Sequence, residues 1–333
     1  MKRKIDPMSA TPQEYLQHLR SIWTTHPHPD HFEGEDSIIL AIERKFPDLF
    51  KNALPESKAD TMQKTIDDLY ANLSEPLRKR RAKLPSEGVA VGELQTLDVN
   101  SCCVRVPAGG YVILVNTGLM MLLYQLTKIF ASRIVVEVDG ETKIIVSDTA
   151  ELLEIAKYTV QTIATFLRYN VPVAPLIPIT HIHAAQVSFV AGILHFAELF
   201  VLAHEFGHIT EGHFSTTKVM NTRTKEEDIS LLSSSWNQEY EADRCGLELV
   251  LDTVDEKNER SLVRASSYMG PDLLFTFLDM IEKIGNVKLT THPPAKLRRE
   301  NLRSVMPPKE PGVLLGRRFE GLAELVWKAL SEK

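Results

Sequence analysis

The feature that most restricts how this chain of 333 residues can fold is an apolar run, Phe189 to Ala203, that ends on His204-Glu205-Phe206-Gly207-His208. A helix over this stretch is apolar nearly all round, so it belongs at the centre of a packed domain. His195 and Glu198 interrupt the run, which falls short of the roughly 20 apolar residues that cross a bilayer. The same holds for Tyr111 to Leu123, with Asn116 and Thr117 inside it. Both read as buried core elements, and no clear membrane span is expected. His204 and His208 are four residues apart, about 400° of helix, so both imidazoles lie on one face roughly a turn apart. They can meet one tetrahedral zinc ion. Glu205, displaced by about 100°, can reach a zinc-bound water without ligating the metal. Zinc draws the pKa of that water towards about 7, and a carboxylate beside it can take the proton. Three ionisable groups at the end of an apolar helix are costly to bury unpaired, and a metal removes that cost. The plain alternative is a solvated, salt-bridged helix face.

Such a zinc needs a third ligand. His213 is nine residues beyond His204, about 900°, and points to the opposite side of a continuous helix. The better candidate lies in Asn237-Gln238-Glu239-Tyr240-Glu241-Ala242-Asp243. On a helix Glu239 and Asp243 share a face. Glu239 completes a shell of one zinc per chain. Asp243 accepts the outer N–H of a ligating imidazole and fixes its tautomer. Glu241 lies about 200° from Glu239, on the wrong face. A plain acidic helix is the alternative reading.

Around this core the chain divides at about residue 95. Residues 1–95 read as a polar, helical N-terminal region, with helix spacing at Ser37 to Phe46 and Lys58 to Leu73 and a capped, proline-started helix at Thr11-Pro12-Gln13-Glu14. Arg78-Lys79-Arg80-Arg81 reads as a solvated helix end or a docking patch. Thr25 to His31, with three histidines and two prolines, reads as an exposed turn. Residues 96–333 form the main domain, with a hairpin and helix inserted over about 131–180. The hairpin signal is Asp139-Gly140 between Arg133–Val138 and Lys143–Ser147; the inserted helix is Glu151 to Asn170. Helices are also expected at Leu119–Phe130, at Ala184–His213, and near 236–252, 260–284, 295–304 and 319–331. Residues 215–235, polar and Ser/Thr/Lys/Glu-rich, read as a mobile loop. The fold class is α+β, mainly helical, with a small sheet beside the zinc helix.

Gly109 and Gly110 bound a β-branched run, Tyr111-Val112-Ile113-Leu114-Val115, that predicts a strand. Short strands of this kind sit at sheet edges, and glycines let another backbone approach closely. An edge strand here would hold an extended peptide, with Gly110, Tyr111, Val112, Ile113 and Leu114 as the docking residues.

A net charge of -6 and a pI near 6.0 give no electrostatic reason to expect a nucleic-acid partner. The odd cysteine count, Cys102, Cys103 and Cys245, argues against a disulfide framework. Met1-Lys2-Arg3-Lys4 runs into Ile5-Asp6-Pro7 without an apolar stretch, so no signal peptide is expected. A cytoplasmic location follows as an expectation. Oligomeric state is left open.

Taken in order, Ala108-Gly109-Gly110-Tyr111-Val112-Ile113 with Thr117-Gly118-Leu119, then Ala203 to His208, Glu239 to Asp243, and Thr291-His292-Pro293-Pro294 with Arg298 resemble the gluzincin metallopeptidases of the HtpX and CaaX-prenyl-endopeptidase type. The resemblance spans about residues 104–303. It implies a zincin-type fold, zinc ligation by His204, His208 and Glu239, general-base catalysis by Glu205, and a protein or peptide substrate. It also implies that His292 and Arg298 lie near the substrate and steady the oxyanion. Members of this type are often membrane-embedded, and this chain lacks clear spans, so an apparently soluble relative is expected. Two alternatives to an active endopeptidase stand: a zinc-stabilised regulatory or interaction protein, and a latent regulator-cleaving protease.

Overall fold

A computed structural model describes residues 6, 8–22, 60–80, 83–94, 99–131, 134–136, 142–144, 149–169, 184–215, 219–223, 228–232, 235–254, 262–285 and 292–331. The expected helix at Ser37–Phe46, the Thr25–His31 turn and the Asp139-Gly140 turn lie outside the described residues. The class is α+β and mainly helical. The chain separates into two compact units, neither continuous in sequence. The expected boundary near residue 95 falls inside the first unit, which includes 57–120 and 199–253.

In the first unit, α1 (Pro12–Ile22) starts as its sequence dictates. The Thr11 backbone N–H donates to Glu14 Oε2 at 2.9 Å, and the Glu14 N–H donates back to Thr11 Oγ1 at 3.3 Å. Helix α2 covers Asp60–Lys79. Three strands follow: β1 (Val89–Leu94), β2 (Ser101–Arg105) and β3 (Tyr111–Asn116). β2 turns back through Val106–Gly110 into β3, with Gly109 at φ 112° and Gly110 at φ 81°, backbone that side chains rarely adopt. β3 pairs antiparallel with β2 and parallel with β1, in register Ala90 with Val112 and Cys103 with Ile113. Apolar residues of α1 (Tyr15, Leu16, Leu19) cover one face with Ala90, Leu94, Val104, Val112 and Leu114.

This arrangement corrects two expectations. β1 falls in the stretch read as helical. Its Val-Ala-Val-Gly-Glu-Leu run is buried from Ala90 onwards, so it lacks the alternation that marks a half-exposed strand. More importantly, β3 is not an edge strand. The order is β1-β3-β2-β7-β6, where β6 is Val219–Arg223 and β7 is Asp228–Leu232. Both sides of β3 are already hydrogen-bonded, and Val112, Ile113 and Leu114 are 0% exposed. No peptide strand can add there. Gly110 serves packing instead: a Cβ on it would lie 2.5 Å from the Gly88 carbonyl oxygen. β6 and β7 themselves replace the expected loop over 215–235 and pair antiparallel.

The expected helix at Leu119–Phe130 is α3 (Thr117–Ala131), and the hairpin is present as β4 (Ile134–Val136) paired with β5 (Thr142–Ile144). Helix α4 (Thr149–Tyr169) follows, then α5 (Ala184–Thr210), the long apolar helix. The unit boundary falls within α3 and within α5. Over Val187–Thr210, α5 is long and apolar enough to cross a membrane, a longer stretch than the apolar run alone suggests; 61% of that window is buried inside the protein. Helix α6 (Trp236–Leu251) completes the first unit.

The second unit holds α7 (Leu262–Gly285), α8 (Ala295–Val305) and α9 (Pro311–Ser331). α9 begins well before the expected residue 319. Glycines set the packing here: a Cβ on Gly312 of α9 would overlap the Ala265 carbonyl oxygen of α7, and one on Gly270 of α7 would lie 2.6 Å from the Ala197 nitrogen of α5. Arg299 is buried and donates to Thr276 Oγ1 at 3.1 Å and Glu320 Oε1 at 2.5 Å. Arg303 donates to both Asp272 oxygens at 2.7 Å and also to Glu320.

Candidate active site

The last two turns of α5 and the first three of α6 pack almost backbone to backbone in the first unit. A Cβ on Gly207 would lie 2.7 Å from the Ala242 carbonyl oxygen, and one on Gly246 would lie 3.0 Å from the His204 nitrogen. Only glycine allows this approach. Helix α6 starts on a capping box, with the Ser235 N–H donating to Gln238 Oε1 at 2.7 Å and the Gln238 N–H donating back to Ser235 Oγ at 3.4 Å. Its other end is held by Arg80 at the end of α2, which bonds Asp252 at 2.7 Å and Glu248 at 3.4 Å. That arginine, read from sequence as part of a solvated or docking patch, is an anchor within the unit.

Between these helices three side chains converge. His204 Nε2 and His208 Nε2 are 3.1 Å apart. Glu239 Oε2 is 3.5 Å from the first, and its Oε1 is 3.4 Å from the second. One ligand atom from each residue lies within 4.8 Å of the others, and all three residues are buried. A tetrahedral ion with bonds of about 2.0–2.1 Å separates its ligands by about 3.3 Å, so the donor set fits zinc in type and in spacing.

The outer imidazole nitrogens are engaged as well. His204 Nδ1 is 2.9 Å from Asp243 Oδ1, and Asp243 is fully buried. His208 Nδ1 is 2.9 Å from His213 Nδ1, and His213 Nε2 is 3.1 Å from Glu241 Oε2. His213 is where it is because α5 stops at Thr210 and Gly212 takes φ 68°, a left-handed helix end that folds the chain back. The nine-residue spacing therefore does not place it across a continuous helix. It stands behind His208, outside the three-residue cluster. Glu241, on the outer face of α6, reaches it from solvent.

Glu205 is buried beside the cluster and accepts a 2.6 Å hydrogen bond from Ser101 Oγ at the start of β2. Nothing in the sequence pointed to Ser101, since a contact between residues 104 positions apart leaves no local pattern. The signal that could have found His213 was Gly212, a helix terminator placed just after the last periodic residue. Phe214 packs on both His208 (ring centroids 5.9 Å) and Tyr111 (5.0 Å), and Tyr70 of α2 stacks on Phe206 at 5.7 Å.

Burial pushes Cys103 well above its ordinary value, with the Glu205 and Cys102 charges adding, and burial raises Cys245. His292 and Arg298 belong to the second unit. His292 is half-buried just ahead of α8, and the Arg298 guanidinium lies 4.8 Å over the Phe275 ring.

A buried cluster of metal-ligand type with a carboxylate held beside it is the equipment of a hydrolase. Residues 120–316 match the family model Peptidase U49, and the chain belongs to this peptidase family. Comparison with curated proteins and with solved structures gave no match.

Proposed function

We propose that the chain is a zinc-dependent endopeptidase of gluzincin type, acting on a protein or peptide. The observation that carries this reading is the convergence of His204, His208 and Glu239 within 4.8 Å, with Glu205 held beside them. His204, His208 and Glu239 would hold one zinc. A bound zinc supplies Lewis acidity, which acidifies water and polarises a carbonyl. The rest is the chain's own work. Glu205 holds a carboxylate where it takes a proton from water and returns it to the departing amine. Ser101 holds that carboxylate by a hydrogen bond to one of its oxygens. Asp243 holds His204 in the tautomer that presents Nε2. The three free cysteines accord with a reducing, cytoplasmic setting.

The rival reading is a zinc-stabilised regulatory protein without turnover. A purely structural site needs ligands but no base, and Ser101 is placed to orient Glu205, which a structural site does not require. The test has two parts. Purified wild type should carry about one zinc per chain, largely lost in His204→Ala. Wild type, but not Glu205→Gln, should produce new cleavage products in a lysate of its host. Full zinc in His204→Ala overturns the ligand set. Zinc in both proteins with no difference in products favours the rival.

A further inference from the structure

We propose that His213, backed by Glu241, is a positioning residue for His208. It selects the His208 tautomer and strengthens its hold on the metal. The inference rests on the zinc reading above and adds residues to it. The two ligating histidines have different support. His204 leans on a carboxylate, Asp243, at 2.9 Å. His208 leans on a second imidazole at the same distance. The direction of the bonds follows from the chemistry. His208 Nε2 faces Glu239 and His204 Nε2, so it is the ligating nitrogen and carries no proton. In the neutral ring the proton then sits on Nδ1 and is donated to His213 Nδ1, which must accept. His213 therefore carries its own proton on Nε2 and donates it to the Glu241 carboxylate at 3.1 Å. Each bond in this relay polarises the next and makes His208 a better electron donor.

The relay is held by backbone as well as side chains. Gly212 sets the reversal that returns His213 to His208. Gln238 Nε2 donates to the His213 carbonyl oxygen at 3.3 Å, tying the turn to the first turn of α6, one residue from Glu239. His213 is 4% exposed, whereas the Glu241 side chain is 59% exposed. The buried imidazole is therefore the main contributor and the screened carboxylate the minor one.

The full chain, zinc-loaded and labelled with ¹⁵N-histidine, tests the relay without any substitution. Long-range ¹H–¹⁵N spectra should show His208 protonated at Nδ1 and His213 protonated at Nε2. Protonation of His213 at Nδ1 overturns the proposal. Chelator competition gives the energetic arm. His213→Leu should weaken zinc about 10–100-fold, the usual cost of losing a partner of a ligating histidine. His213→Asn, whose carbonyl oxygen can take the place of Nδ1 as acceptor, should recover most of that loss. Glu241→Gln should change affinity by less than His213→Leu. The cobalt-substituted protein should show a shifted visible spectrum in His213→Leu and not in His213→Asn. Zinc affinity in a folded His213→Leu equal to wild type overturns the inference while leaving the ligand set intact. Failure of wild type itself to bind zinc overturns the reading on which it rests.

Discussion

Each unit buries a cluster of ionisable side chains, and the two are built on different principles. In the second unit Arg299, Arg303 and Lys283 face Asp272, Asp279 and Glu320. Three cations meet three anions, the arginines through planar, forked groups, so the cluster balances its charge from within. In the first unit His204, His208, Glu205, Glu239 and Asp243 combine two imidazoles with three carboxylates and include no lysine or arginine. A structural cluster closes on itself. The zinc proposed for the first-unit cluster would add its positive charge to a set made of imidazoles and carboxylates, a different residue mix from the arginine-carboxylate pairs of the second unit.

Substitutions can break this contrast. The largest effect is expected at the proposed catalytic site. Glu205→Gln should lower peptide cleavage by about 10²–10⁴-fold, because the amide cannot accept a proton, while zinc content and melting temperature stay near wild type. Cleavage at the wild-type rate would detach the activity from this cluster. Next comes the self-balanced cluster. Arg303→Met leaves Asp272 buried without its forked partner and should cost about 3–5 kcal/mol of stability in denaturant unfolding. Its remaining folded fraction should carry the normal complement of zinc. A midpoint unchanged from wild type would mean that the cluster does not hold α7, α8 and α9 together.

Asp243→Ala should have a smaller effect, weakening zinc by roughly 10–100-fold without abolishing it, as read by chelator competition. Complete zinc loss there, with retention in Glu239→Ala, would exchange the two roles. The smallest effect concerns Glu198, whose carboxyl is pushed by burial from 4.5 up to about 8. Between those values the folded state binds more protons than the unfolded one, so this residue lowers stability as pH rises from about 4.5 to about 8. Glu198→Gln removes that dependence. Its melting temperature should fall less than that of wild type between about pH 5 and 8. Identical slopes would show that the carboxyl ionises freely in the fold.

What the sequence made legible was whatever helical periodicity encodes. The i, i+4 pair His204/His208 and the Glu239/Asp243 pair were placed on their faces by arithmetic, and the structure brings both pairs to one point. The mainly helical α+β class followed from the same periodicity and from the Gly-bounded run at Tyr111. What periodicity cannot encode is which strand lies between which. β3 looked like an edge because its parallel neighbour β1 is buried through most of its length and so resembles a core helix segment in composition. Ser101 and Arg80 act across long sequence separations. His213 was misplaced because a helix was extended through Gly212, the residue that ends it.

The close approach of α5 and α6 at Gly207 and Gly246 has a consequence for ion choice. Two backbones this close leave no room for a side chain between them, so the spacing of the histidine pair and Glu239 is set by backbone packing. Calcium takes six to eight oxygens at about 2.3–2.6 Å, whereas the three converging residues offer two imidazoles and one carboxylate. A single methyl group at either position would act as a wedge between the two helices and so spread the proposed ligands from residues that touch no ion.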